Sequence, residues 1–304
     1  MRIAYTSDLH SDLSPRNWDL VGAIAAHAAR LAPDVFVVAG DVAEHAADVG
    51  RTLQVLAGVP ALRLYLPGNH DLFVEADPSR PGAATSRDKY ERILPEVARA
   101  AGFTALGMHP VRSAGLAIVG VTGWYDFTLR DPRMDSVAGL HNYRAGEWRG
   151  VRAYDRGHVM WPHAGAAGTT LPGAQPASVA GAWASDEELC AAMLAQLDAQ
   201  LQQVHDAPVV VAVLHVLPFA QLVVRGAFGE PAFFDAYLGS QRFGERLRGV
   251  PAIRAVISGH LHRDAELQIG GLRVVARPVG DARRHPGDLA AVARARVGVL
   301  DIDL

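Results

Sequence analysis

Five short polar motifs carry residue types that bind metal ions, and each follows an apolar, strand-like run. They are Asp8-x-His10, Gly40-Asp41, Gly68-Asn69-His70-Asp71, His215 and Gly259-His260-Leu261-His262. In parallel α/β sheets, ligands gather where the strands end, at their carboxyl edge. The placement of the motifs therefore predicts that their side chains converge on one site.

The spacing within the motifs supports convergence, although each motif alone is weak evidence. Asp8 and His10 are two residues apart, as are His260 and His262, so an extended backbone would point both members of each pair to the same side. Taken singly, Asp-x-His and Gly-Asp are also common turn chemistry, and His215 is compatible with a packed core histidine. Their joint occurrence, always after a strand-like run, favours a shared site.

The donor atoms in this set are carboxylate and amide oxygens and imidazole nitrogens, with no thiolate. Such ligands suit a pair of divalent ions such as Mn, Fe, Zn or Co. Paired ions lie about 3.5–4 Å apart and share a ligand. Asp41, alone on its glycine turn, is the predicted bridge.

The charges in such a site favour catalysis on an anionic substrate. Two divalent ions bring four positive charges, and Asp8, Asp41 and a bridging hydroxide return three negative ones. The remaining positive charge can hold a phosphate, and it lowers the pKa of bound water to about 7 in favourable sites. We therefore expect hydrolysis of a phosphoester with the bridging hydroxide as nucleophile.

Alternating strands and helices are predicted to position these residues. The predicted strands are 2–7, 34–40, 61–68, 115–123, 208–215 and 253–260, with further short strands near the end of the chain. The predicted helices are 17–32, 47–58, 86–102 with Ser86 as its cap, a run from Ser185 with Glu188 in a capping box, and 240–249. This βαβ rhythm predicts parallel strands joined by helical crossovers.

Residues 124–184 break the pattern and are interpreted as an insertion, or lid, within a single domain of residues 1–304. Trp124 and Tyr125 could stack a nucleobase or aryl group, and His141 could share the lid with them. The alternative is that these aromatic residues bury the insertion against the sheets. Arginines of the insertion alternate with acidic residues, which favours a solvated surface over a second phosphate site.

Composition narrows the choice of partners and location. The formal net charge of −3 gives no basic field, so nucleic acid is not an expected partner. The single cysteine, Cys190, excludes an intrachain disulfide and is predicted to be a small core residue. There is no apolar run of roughly 20 residues, and the N-terminus reads directly as a strand, so we expect a cytoplasmic protein that does not span a membrane.

The ordered motif set, from residue 8 to residue 262, resembles the calcineurin-like metallophosphoesterases. The resemblance implies a four-layer α/β/β/α sandwich of two mixed sheets flanked by helices. It implies that one metal is held by Asp8, His10, Asp41 and His262, and the other by Asp41, Asn69, His215 and His260. It also implies that His70 contacts the phosphate or protonates the leaving oxygen, while Asp71 orients the His70 ring.

The resemblance implies a dinuclear, metal-dependent hydrolase of a small phosphoester. A phosphodiesterase is favoured by analogy, with cyclic nucleotides among the candidate substrates, and a phosphomonoesterase is the close alternative. The run GDVAEHA lacks the arginine that protein phosphatases of this kind carry after Gly-Asp. An exonuclease is less favoured because only 42 residues follow His262. A non-catalytic scaffold is less favoured because such relatives typically lose metal ligands, whereas all are present here.

Overall fold

Two β-sheets lie face to face, and helices cover their outer faces. The computed structural model describes residues 1–74, 85–163 and 183–304. The first sheet has the strand order β13-β1-β2-β3-β4. Its strands are β1 (Arg2–Thr6), β2 (Val35–Ala39), β3 (Leu62–Leu66), β4 (Thr104–Ala105) and β13 (Gly298–Asp301). β1 to β4 run parallel, as the βαβ rhythm predicts, and β13 pairs antiparallel with β1.

The second sheet has the strand order β11-β12-β10-β9-β6-β5. Its strands are β5 (Val111–Ser113), β6 (Leu116–Val121), β9 (Val209–Leu214), β10 (Ile253–Ile257), β11 (Ala265–Ile269) and β12 (Leu272–Ala276). The four central strands are parallel, and the edge strands β5 and β11 are antiparallel to their neighbours. Both sheets are therefore mixed, as expected.

Alternate residues of the central strands face two different layers of the core. In β9, Val209, Val211 and Val213 pack between the two sheets, whereas Val210 and Ala212 pack in the cluster that includes the helices. A strand covered on both faces needs apolar residues at every position, which explains why β2 and β9 show no polar alternation. The result is the predicted α/β/β/α sandwich.

The five predicted helices lie close to their predicted positions. In chain order, the helices are α1 (Pro15–Arg30), α2 (Ala46–Leu56), α3 (Ser86–Asp88), α4 (Leu94–Ala100), α5 (Leu140–Ala145), α6 (Asp186–Gln203), α7 (Glu230–Phe234), α8 (Gln241–Arg248) and α9 (Leu289–Arg296). The predicted helix 86–102 is divided into α3 and α4 by a π-helical segment at Lys89–Ile93, whereas α5, α7 and α9 were not predicted. The capping box of Ser185 and Glu188 is present at the start of α6. The predicted cap Ser86 is wrong by one residue, since Thr85 accepts the backbone N–H of Asp88 and forms the capping box. Cys190 is buried in α6, as predicted.

The described part of the insertion, residues 124–163 and 183–184, contains α5 and a short hairpin of β7 (Glu147–Trp148) and β8 (Val151–Arg152). Met134, Tyr143 and Trp148 of this segment are buried in the core cluster that includes the helices. Residues 164–182 of the predicted insertion lie outside the described residues. A lid function for the segment stays a prediction.

No helix in the described ranges has the length and apolar character needed to cross a membrane.

Candidate metal centre

All seven predicted metal ligands follow strands at the same edge of the sandwich. Asp8 and His10 follow β1, Asp41 follows β2, and Asn69 follows β3; His215 follows β9, and His260 and His262 follow β10. Because β1, β2 and β3 are parallel, and β9 is parallel to β10, the carboxyl ends of each set meet at one edge. The two sheets join there, since the backbone N–H of Gly280 donates to the carbonyl of Asp8 at 2.8 Å.

The first group of donors consists of Asp8, His10, Asp41 and His262, whose potential ligand atoms lie within 4.8 Å of one another. The Nε2 atoms of His10 and His262 are 2.9 Å apart. His262 Nε2 is 3.4 Å from Asp8 Oδ1, and His10 Nε2 is 3.7 Å from Asp41 Oδ2. Two imidazoles and two carboxylates directed at one point form a donor set that a divalent cation fits.

The second group consists of Asp41, His215 and His260, with the amide oxygen of Asn69 among them. His215 Nε2 lies 3.1 Å from Asp41 Oδ2 and 3.0 Å from Asn69 Oδ1. His260 Nδ1 lies 3.1 Å from the same amide oxygen. Asp41 therefore belongs to both groups and lies between them, as a bridging carboxylate must.

Backbone carbonyls fix the ring nitrogens of two of these histidines. His215 Nδ1 is 2.9 Å from the carbonyl oxygen of Ala39, and His260 Nε2 is 3.1 Å from that of Tyr237. A carbonyl only accepts, so each of these nitrogens carries the proton and the other ring nitrogen presents a lone pair to the group. This arrangement is typical of metal-binding histidines, and the residues present fit a pair of divalent ions.

The backbone at the ligands is left-handed, not extended. Nine non-glycine residues have a positive φ in the described chain, and five are proposed ligands: Asp8, His10, Asp41, His260 and His262. The spacing argument from an extended backbone is therefore wrong in its reason, although the side chains do converge. Left-handed φ values are costly for non-glycine residues and concentrate at functional sites.

Glycine is required at position 40 because the His215 ring packs against it. Gly40 has φ +90°, and an added Cβ would lie 2.7 Å from Cγ of His215 and 2.8 Å from Cα of Gly68. Non-bonded carbon atoms prefer about 3.5–4.0 Å. The Gly-Asp motif thus brings β2, β3 and β9 close enough to share Asp41.

The electrostatics of the centre keep its two carboxylates ionised. Burial would raise the pKa of Asp41, but the neighbouring His215 and His70 hold it well below its ordinary value. Burial is likewise outweighed at Asp8, whose pKa is lowered by the hydrogen bond from His262. Burial lowers the pKa of His215, but the neighbouring Asp41 carboxylate outweighs burial and raises it. A second proton on this ring would therefore compete with a metal ion for Asp41.

His70 lies beside the first group, and the centroid of its ring is 4.9 Å from that of the His10 ring. Its Nδ1 makes no hydrogen bond within the described chain, and Glu44 Oε1 is 3.5 Å away. Burial lowers the pKa of His70, but the carboxylates of Asp41, Asp155 and Glu44 more than compensate and raise it. The ring is thus placed to hold a proton beside the metal centre.

Asp71 does not contact the ring of His70, contrary to the orienting role implied by resemblance. Its Oδ1 accepts the backbone N–H groups of Val42 (2.8 Å) and Ala43 (3.0 Å), and its Oδ2 accepts that of Gly68 (2.7 Å). The reason is that the loop turns into a short 3-10 helix at His70, which directs the buried carboxylate back toward β2. Asp71 holds together the two loops that carry Asp41 and Asn69.

None of the three predicted substrate residues lines the cavity that opens over the first group of ligands, whereas Trp124 and Tyr125 line a separate cavity of about 240 Å³. Trp124 and Tyr125 are each 1% exposed. The Trp124 indole donates to Asp186, and the Tyr125 hydroxyl donates to Asp155. These contacts agree with the alternative interpretation, in which the aromatic pair buries the insertion. His141 lies exposed on α5 and is not among the residues that line the adjoining cavity.

A cavity of about 640 Å³ opens over the first group of ligands. His10, His70 and His262 form its floor, and its walls are Asp12, Leu13, Glu44, Tyr154 and the loop 279–285. Sequence reasoning missed Glu44, Tyr154 and this loop. A cue existed only for Glu44, which lies three residues after the metal motif Gly40-Asp41.

Comparisons with known proteins agree with this geometry. Residues 1–144 match the family model of the calcineurin-like phosphoesterases. A phosphopantetheinyl hydrolase from Mycobacterium tuberculosis is similar in fold, with 20% identity, a TM-score of 0.67 and coverage of 94% of this chain and 93% of that one. A protein of Thermus thermophilus is also similar, with 12% identity, a TM-score of 0.51 and coverage of 99% and 98%. A search of curated proteins gave no match.

The sandwich and the paired donor groups at its edge define a metal-dependent phosphoester hydrolase, in which two divalent ions serve as cofactor. Residues 1–144, which match the calcineurin-like phosphoesterase family model, include Asp8, His10, Asp41 and Asn69, whereas His215, His260 and His262 lie beyond the match.

Proposed function

We propose that this chain hydrolyses small phosphodiesters. In this proposal, one divalent ion is held by Asp8, His10, Asp41 and His262, and the other by Asp41, Asn69, His215 and His260. When bound, the two ions polarise the phosphoryl group and activate water for attack at neutral pH. The protein groups around them bind, orient and protonate the substrate.

The observation that carries the proposal is that the cavity has walls on both sides of the first group of ligands. His70, His10 and His262 form a row, with neighbouring ring centroids 4.9 Å apart. Tyr154 stacks on His70 at one end of the row, and Gly280 adjoins His262 at the other. A phosphate over the middle of this row has space for an ester group in each direction, as a diester requires.

His70 is the proposed acid for the leaving group. It lies in the cavity floor, and its side chain is 22% exposed. A proton held on this ring can be given to the departing alkoxide, which matters most when that alkoxide is a strong base. Glu44, 3.5 Å from Nδ1, stabilises the protonated ring.

The loop 279–285 forms a built wall at the other end of the cavity. The Asn17 amide donates to the carbonyl of Gly280 at 2.7 Å, and Arg16 donates to the carbonyls of Ala282 and His285 at 2.9 and 3.0 Å. α1 therefore fixes the position of the wall. The size of the cavity and the net charge of −3 favour a small phosphoester over nucleic acid. The cytoplasmic location stays a prediction.

The test is hydrolysis of a bis-nitrophenyl phosphodiester beside the matching nitrophenyl monoester, first with Mn²⁺ and then with chelator. We expect chelator-sensitive cleavage that favours the diester. The next substrates to test would then be cyclic nucleotides and a phosphopantetheinyl ester. The name of the Mycobacterium tuberculosis neighbour suggests the second of these. A preference for the monoester would refute the diester assignment in favour of a phosphomonoesterase. Absence of chelator-sensitive turnover of both compounds would contradict the proposed reaction.

A further inference from the structure

A turn of the insertion, residues 153–158, packs directly on the loop that carries Asn69 and His70. Asp155 Oδ1 accepts a hydrogen bond from Asn69 Nδ2 at 2.8 Å. The adjacent residue, Tyr154, makes a second contact: its ring stacks on that of His70, with the ring centroids 5.5 Å apart. The backbone N–H of Val74 donates to the carbonyl of His158 at 2.8 Å. The insertion is therefore part of the wall of the centre.

The contact between Asp155 and Asn69 decides which end of the amide faces the metal position. Only the oxygen of an asparagine amide can be a metal ligand, whereas its NH₂ group donates. A carboxylate only accepts, so Asp155 holds the NH₂ end, and Oδ1 is left facing His215 and His260. Rotation of the amide by half a turn would place two N–H donors where the cation binds.

Asp155 is itself fixed from behind by a buried residue. The hydroxyl of Tyr125 donates to its second oxygen. Tyr125 is 1% exposed and lies between Trp124 and Tyr237, with ring centroids 4.5 and 5.7 Å away. The series Tyr125, Asp155, Asn69 thus connects the packed interior of the insertion to one metal position.

We propose that Asp155 is a positioning residue that orients the amide of Asn69 and thereby sets the affinity of one metal position. That position is the one formed by Asp41, Asn69, His215 and His260. The inference rests on the metal ligands of the proposed function. Removal of a residue that orients a metal ligand typically lowers metal affinity about 10–100-fold. Within the described chain, the Asp155 carboxylate has no hydrogen bond to Asp8, His10 or His262, so the effect should be confined to one ion.

The experiment is calorimetric titration of chelator-treated protein with Mn²⁺, which resolves binding of the two ions without measuring activity. His260→Ala and His262→Ala assign the two binding events to the two positions. Asp155→Ala should weaken the event that His260→Ala abolishes by about 10–100-fold and leave the other within about twofold. Asp135→Ala is the matched control, because it removes an exposed carboxylate that pairs with Arg130 in the same insertion.

The conservative variant separates orientation from charge. Asp155→Asn keeps an oxygen that can accept from Asn69, and its NH₂ can donate to the Tyr125 hydroxyl, so it should restore binding to near the wild-type affinity. If Asp155→Asn binds as weakly as Asp155→Ala, the effect is one of charge and the positioning role is refuted. Unchanged binding in Asp155→Ala, or equal weakening of both events, also refutes it.

Two further results keep the inference testable. If Asp155→Ala does not fold, Tyr125→Phe removes the hydroxyl behind Asp155; weakening confined to the same event supports the inference, and no change or a shared change overturns it. Wild-type protein that binds fewer than two ions contradicts the proposed metal pair itself. Failure of the Asp155 prediction with two ions bound in the wild type contradicts the positioning role alone.

Discussion

Replacement of Gly40 by alanine tests whether close packing of the loops holds the metal centre together. The new methyl group would lie 2.7 Å from Cγ of His215 and 2.8 Å from Cα of Gly68, and the residue would keep φ near +90°. The neighbour on one side is backbone, so the ring of His215 must move. Its movement would break the hydrogen bond of 2.9 Å to the carbonyl of Ala39 and withdraw Nε2 from Asp41.

The expected loss of stability has three contributions. A left-handed backbone costs alanine roughly 1–2 kcal/mol. Overpacking in a tight core costs about 1–3 kcal/mol. A buried hydrogen bond left unmade costs about 1–3 kcal/mol. Alanine restricts the unfolded chain and recovers about 0.4–1 kcal/mol. The free energy of unfolding should therefore fall by roughly 2–8 kcal/mol in the metal-free protein.

The assay is urea unfolding of chelator-treated protein, combined with elemental analysis after reloading with Mn²⁺. Gly40→Ala should show the predicted destabilisation and should lose the ion at the His215 position. Gly22→Ala is the control, because Gly22 is exposed in α1 with no atom within 4 Å of an added Cβ. It should stabilise the protein by roughly 0.5–1 kcal/mol, as expected for a helix interior. The packing argument would be refuted if Gly40→Ala bound two ions and its free energy of unfolding lay within about 0.5 kcal/mol of the wild-type value.

Two further substitutions separate metal binding from proton transfer. Asp41→Asn should lose activity and both ions together, because it removes the charge shared by both donor groups; elemental analysis and turnover measure this, and a fully active variant would contradict the bridging assignment. His70→Ala should keep both ions and lose rate, most severely for esters with poor leaving groups. His205→Ala, on an exposed histidine in the turn after α6, is its control. An equal loss for all leaving groups would argue against the acid role.

The sequence predicted most of the strands because each is recognisable locally, whereas the arrangement of two sheets in a sandwich was implied by the family resemblance. Predicted strands 34–40 and 208–215 contain the observed β2 and β9, whose apolar residues at every position report burial on both faces. Short elements such as β4 and β7, two residues each, were missed. Such elements are stabilised by pairing and packing with distant residues, not by a periodic pattern of their own.

The ligands could be proposed from sequence because they are reactive residue types that follow strands, and the topology brings strand ends together. Their backbone conformation could not. Asp8, His10 and His260 have φ of 54°, 41° and 68°. Asp and His adopt the left-handed region more often than most residues, but it is uncommon even for them, so residue type alone does not predict it. The surrounding contacts impose this conformation. For example, the backbone N–H of His260 donates to Asp8 Oδ1, at 2.9 Å, and Asp8 follows a strand of the other sheet. The motifs thus specify which atoms converge, and the junction of the two sheets specifies how.

The role of the insertion was hidden from sequence for a different physical reason. Asp155 and Asn69 are 86 residues apart, and their hydrogen bond forms only when the turn 153–158 packs on the loop after β3. An aspartate in an arginine-rich, mixed-charge stretch carries no local sign of such a contact. Long-range contacts also decide the surroundings of Trp124 and Tyr125, whose aromatic character predicted stacking on a substrate: both side chains are buried and hydrogen-bonded to Asp186 and Asp155. Because the insertion supplies Tyr154 to the cavity and Asp155 to Asn69, changes in this segment can alter substrate choice and metal affinity together, without any change in the metal ligands themselves.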